Sequence, residues 1–171
     1  MAGNMTAFET IVRKYESMIA KITIPMIGNK DDANDIGQET FIRFYKSMKQ
    51  FKGDSQLGTY LARIAINLSL NEIKRRKKRW LVSTDNYNNI EIPAVDNEKN
   101  KDITDLVNSS LEAMEPQFRS VIVLRHIQGF STKETADILG IPQGTVLSRL
   151  SRGQDKLKEV ITKIDGYEQV R

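Results

Sequence analysis

GFSTKETADILGIPQGTVLSRLSRGQDKL, residues 129–157, sets the architecture expected of the chain. It has the punctuation of a helix-turn-helix. Ser131 or Thr132 can cap a short first helix ending at Leu139, Gly140 can supply the positive φ of a tight turn, and Pro142 suits the first turn of a second helix. Ala136 is small enough for the two helices to meet, and Val146 gives the second an apolar anchor. The second helix is then expected to bury Val146, Leu147, Leu150 and Leu157. Gln143, Thr145, Ser148, Arg149 and Arg152 are left to face outward, and these residue types suit DNA: Arg and Gln address base edges, while Thr and Ser bind phosphate or bases.

Of 171 residues, 39% are hydrophobic and 28% charged, and no apolar run approaches the ~20 residues of a membrane span. The first residues lack the uninterrupted apolar core of a secretory signal, so no membrane insertion and a cytoplasmic location are expected. With no cysteine and one histidine, His126, thiol catalysis, thiolate metal sites and an acid–base triad have nothing to build on. No metal, cofactor or small-molecule substrate is expected. Net charge is +4, but it is unevenly placed: residues 1–80 carry 15 Lys and Arg against 8 acids, whereas residues 104–171 carry 9 of each. The basic half is therefore the one without the helix-turn-helix, which predicts a second polyanion footprint there.

Phe8, Ile11, Val12, Tyr15, Ile19 and Ile22 recur at helical spacing, which predicts a first helix starting near Thr6 and ended or kinked by Pro25. A second begins at Asp31 and Asp32, with Ala33, Ile36, Phe41, Phe44, Met48 and Phe51 on its core stripe and Asp35, Gln38, Glu39, Arg43 and Lys46 off it. A third carries Leu57, Tyr60, Leu61, Ile64, Ala65 and Leu68 inward. Arg63, Asn67, Asn71, Lys74 and Arg75 project from its other side, and the run KRRKKR (74–79), closed by Trp80, follows. Six consecutive cations exceed what a helix C-terminus needs, which favours nucleic-acid phosphate. Tyr60 fits either the core stripe or a stack on an unpaired base. Residues 81–102 are polar and rich in Asn and Asp and read as a flexible linker; helical patterns resume around Leu106, Leu111 and Met114 and after Pro116. No strand pattern occurs. The expectation is an all-α chain of two small helical domains, 1–80 and 103–164, joined by the linker 81–102 and followed by a frayed tail, 165–171.

Three segments, in this order, resemble the bacterial extracytoplasmic-function (group IV) sigma factors of RNA polymerase: DDANDIGQETFIRFYKSMKQF (31–51) is similar to their region 2.1–2.2, FKGDSQLGTYLARIAINLSLNEIKRRKK (51–78) to region 2.3–2.4, and residues 111–157 to region 4. The resemblance implies a non-enzymatic alternative sigma factor that binds core RNA polymerase and directs promoter recognition and strand opening. It implies that Asp35, Gln38, Glu39 and Phe41 dock on the polymerase clamp, and that Tyr60, Arg63, Asn67, Asn71, Lys74, Arg75 and Arg76 meet the minus-ten element and its opened strand. It further implies that Lys133, Gln143, Thr145, Ser148, Arg149 and Arg152 read the minus-thirty-five element as a duplex. An anti-sigma factor is a further implied partner. Tyr60 stands where the family commonly has Trp. Two other readings stay open at this point: a free-standing regulator, which needs a sensor domain in place of the basic helical half, and a metal-dependent nuclease using Asp31, Asp35 and Glu39.

Overall fold

The computed structural model describes residues 2–48, 56–84 and 103–169, with side chains over 5–48, 56–81 and 106–162. Every regular element among them is helical: α1 (Ala2–Ile27), α2 (Lys30–Ser47), α3 (Leu57–Thr84), α4 (Ile103–Glu112), α5 (Pro116–Ile122), α6 (Thr132–Leu139) and α7 (Gln143–Gln169). The linker expected over 81–102 begins later, because α3 runs through Thr84, and α7 continues to Gln169, into the tail expected from 165; residues 85–102 and the segment 49–55 with Phe51 lie outside the described residues.

The first three helices form a bundle whose centre is Ile19, Ile22, Met26 and Ile27 of α1, Ala33, Phe41 and Phe44 of α2, and Leu61, Ala62, Ala65 and Ile66 of α3. Gly28, at φ +78°, reverses the chain after α1; Asn29 then caps α2 by accepting from the Asp32 N–H at 3.0 Å, with Asp31 and Asp32 in the first turn where the helix dipole favours them. Pro25 does not end α1. It sits buried inside the helix, which runs two residues further because Met26 and Ile27 are held in the core, and the single backbone bond that proline forfeits is outweighed by that packing.

In the second half, Leu111, Met114, Phe118 and Ile122 pack with Leu150 and Leu157, and Val121, Ala136 and Val146 form an adjoining cluster. A wide π-helical turn, Val123–Ile127, prolongs α5. The helix-turn-helix forms where the sequence predicts, with Pro142 just ahead of α7 and not inside its first turn. Ser131 and Glu134 close a reciprocal capping box at the start of α6, and Gly140 ends it at φ +64° with its N–H on the Ala136 carbonyl. One expected core residue is misplaced: Leu147 is 55% exposed. The buried stripe of α7 runs through Val146, Leu150, Gly153 and Leu157, and Leu147 lies about 100° round the helix from Val146.

The halves also touch. Val123, Leu124 and Ile138 complete the core of the first bundle. Arg119, only 6% exposed, donates to the Met26 carbonyl at 2.5 Å and to the Met114 carbonyl at 2.8 Å, and it also bonds the carbonyl of Glu112. Burial lowers its pKa, opposed by the nearby Glu112 carboxylate.

Candidate nucleic-acid interface and docking surface

α2 turns one face out. Asp35 and Gln38 are exposed and Glu39 is half-buried, its carboxylate held by Arg43 Nε at 2.8 Å. Phe41, which the resemblance placed on this face, is 8% exposed and packs inward, as its place on the core stripe requires. Ile42 lies outward instead, 46% exposed. It falls at +7, +4 and +3 from Asp35, Gln38 and Glu39, so helical spacing alone was enough to find it. An apolar residue framed by acids and amides on an exposed helix face is the composition of a docking surface.

α3 carries the basic surface. Asn67, Asn71, Lys74, Arg75, Lys77, Lys78 and Arg79 are exposed. The six cations are not equivalent, however. Glu72, whose side chain is only 13% exposed, pairs with Arg75 at 2.6 Å, Arg76 at 3.1 Å and Arg79 at 3.4 Å. Arg76 further donates to Asp32 Oδ2 at 2.7 Å and to the Ile27 carbonyl at 3.2 Å, which ties α3 to the α1–α2 turn. Its predicted contact with a DNA strand thus competes with a structural duty. Lys74, Lys77 and Lys78 point outward without a share in Glu72. The signal for this division was in the sequence: Arg75, Arg76 and Arg79 follow Glu72 at offsets of three, four and seven.

Two other expected strand contacts are also engaged. Tyr60 donates its hydroxyl to Ser47 Oγ at 3.0 Å and sets its ring edge-on to Phe44, with centroids 6.3 Å apart, which is the core-stripe alternative for this residue. Arg63 donates to the Asp137 carbonyl of α6 at 2.8 Å.

On α7, Gln143, Ser148 and Arg152 are exposed and Thr145 and Arg149 half-buried, with Lys133 exposed on α6. Ser148 returns its hydroxyl to the Thr145 carbonyl at 3.1 Å. Arg149 lines a cleft of about 390 Å³ together with Lys74 and Lys77 of α3 and with Glu115, Gln117 and Ser120 at α5, so cations of both halves meet at one cleft with an acid among them. His126 exchanges a hydrogen bond with Gln154 at 2.9 Å on the α7 side. Among the described residues no three His, Asp or Glu side chains are grouped as a metal site, and no helix is long and apolar enough to cross a membrane.

This arrangement matches known proteins in both halves. Residues 11–79 match the family model of sigma-70 region 2, and residues 105–157 that of sigma-70 region 4. The chain is 31% identical over 168 residues to the ECF RNA polymerase sigma factor SigW of Bacillus subtilis, covering 92% of this chain and 90% of that one. It is 30% identical over 166 residues to the ECF RNA polymerase sigma-E factor of Escherichia coli, covering 91% and 86%. Among solved structures, the sigma factor RpoE of Bartonella quintana, in complex with the anti-sigma factor NepR, shares the fold with a TM-score of 0.73 at 22% identity, over 91% of this chain and 97% of that one. CnrH, in complex with the cytosolic domain of CnrY, does so at 0.69 and 24%, over 95% and 92%.

Proposed function

The chain belongs to the extracytoplasmic-function RNA polymerase sigma factors, and from that premise we propose how its outward faces divide the work of promoter recognition and strand opening with core polymerase. The α2 face, Asp35, Gln38, Glu39 and Ile42, docks on the polymerase clamp, with Phe41 acting from beneath as its support. The α3 face, Asn67, Asn71, Lys74, Lys77 and Lys78, holds the minus-ten element, and Arg63, Arg75 and Arg76 join it when their internal partners are released. Tyr60 shapes the upstream edge of that face from within the core. Lys133, Gln143, Thr145, Ser148, Arg149 and Arg152 read the minus-thirty-five duplex. The protein works in the cytoplasm, carries out no chemical step of its own, and is held inactive by an anti-sigma factor that keeps its halves together.

The observation that carries this reading is the exposed lysine and asparagine face of α3 in the same chain as a helix-turn-helix. Opening base pairs costs a few kcal/mol each, and captured bases plus neutralised phosphates repay it only when the protein is fixed on polymerase. Purified chain added to core polymerase should yield transcripts from a cognate promoter. Failure to bind core would sink the reading.

A further inference from the structure

We propose that Leu147 is a specificity-determining residue that reads the 5-methyl group of a thymine in the major groove of the upstream promoter element; this rests on α7 being the helix that reads the duplex. Leu147 is more than half exposed while its apolar neighbours Val146, Leu150 and Leu157 serve the cores of the C-terminal half, so internal packing does not account for it. It stands in the second turn of α7, and the N-terminal turns of such a helix are the ones that meet base edges.

Its surroundings fit a close approach. A side chain at Gly144, three residues before Leu147, would meet nothing within 4 Å, whereas one at Gly153 would meet Ile122 at 3.3 Å. Gly153 is thus tightly packed against the core and Gly144 stands in open space. Gly144 and Ser148 are both exposed and small, which leaves a base-pair edge room to come alongside Leu147, and Arg149, Arg152 and Lys133 supply the attraction to phosphate around it. Leucine offers no hydrogen bond. Of the groups displayed in the major groove, the thymine methyl is the apolar one, so contact with any other edge would strip water from a polar group without replacing it.

The test uses holoenzyme formed from the full chain and core polymerase, presented with duplex promoters randomised over the upstream element. Thymine should be enriched at one position or at two adjacent ones. Replacing that thymine by deoxyuridine, which removes only the methyl, should weaken wild-type binding about three- to fivefold. Leu147→Ala, at an exposed position, should be indifferent to the replacement while keeping the remaining sequence preference. Wild-type indifference to uracil, equal sensitivity in Leu147→Ala, or a selected element without thymine would overturn the role of Leu147 and leave duplex reading by α7 standing. The absence of any upstream preference would overturn both.

Discussion

Phe41 and Ile42 are adjacent, similarly apolar and opposite in placement, so a pair of substitutions separates folding from docking. Ile42 retains about half of its surface for a partner. Complete burial of such a side chain is worth roughly 1.5–3 kcal/mol, so the half still exposed offers about 1 kcal/mol, or a fivefold change in Kd, on Ile42→Ala. Ile42→Asp adds a carboxylate to a face already carrying Asp35 and Glu39 and should cost roughly 2 kcal/mol or more, about thirtyfold. Phe41→Leu, at 8% exposure, trims a core ring instead and should lower stability by about 1 kcal/mol while changing Kd far less than Ile42→Asp does. Because the chain has no cysteine, Thr162→Cys at an exposed site of α7 gives a unique position for a fluorophore. Core polymerase titrated against the labelled protein then reads Kd by anisotropy, with urea denaturation reporting stability. A Kd for Ile42→Asp within twofold of the parent, with helicity intact, would show that α2 does not dock through this face.

Arg119→Leu should lose roughly 3–5 kcal/mol in urea denaturation, because it orphans the Met26, Glu112 and Met114 carbonyls together; a loss below about 1 kcal/mol would mean that water replaces the guanidinium. The Glu134 carboxyl, held by the Ser131 hydroxyl and then by the Ser131 N–H, should titrate below its ordinary 4.5 by NMR. Its stabilisation is therefore present above the unfolded-chain value and lost as pH falls through the lower folded one. Ser131→Ala should raise that pKa and cost about 1 kcal/mol at neutral pH, with the gap from wild type narrowing in acid. Changing Lys74, Lys77 and Lys78 to Gln should slow open-complex formation and lower its salt slope by about 2, at roughly 0.7 per phosphate on single strands. Arg76→Gln should first lower thermal stability, since Arg76 is bound to Asp32, Glu72 and the Ile27 carbonyl.

Periodicity was a sound guide wherever one face of a helix had to be buried. It located α1, α2 and α3, and the serine, glycine and proline around α6 fixed the helix-turn-helix because each has a single backbone use there. It was weaker where adjacent residues were alike in hydrophobicity. Leu147 stands beside Val146 and Phe41 beside Ile42, and residue type does not say which of two apolar neighbours on a helix turns inward. Pro25 misled for another reason: its local penalty is overruled by tertiary packing that no short window contains. The Glu72 cluster was legible, since Arg75, Arg76 and Arg79 follow this acid at offsets of three, four and seven on one helix.

The contacts between the halves leave no pattern in the sequence at all. Arg63 and Arg119 both donate to main-chain carbonyls, of Asp137 and Met26, and a carbonyl is present at every residue. Yet these contacts bear directly on function. On the proposed function the α3 and α7 faces hold two separate promoter elements, while in this structure the halves that carry them are joined by these bonds. On that proposal, engagement of both elements at once should break the Arg63–Asp137 and Arg119–Met26 bonds. For Arg63 the same event would free the side chain for the strand it is proposed to hold, which ties separation of the halves to completion of the minus-ten surface.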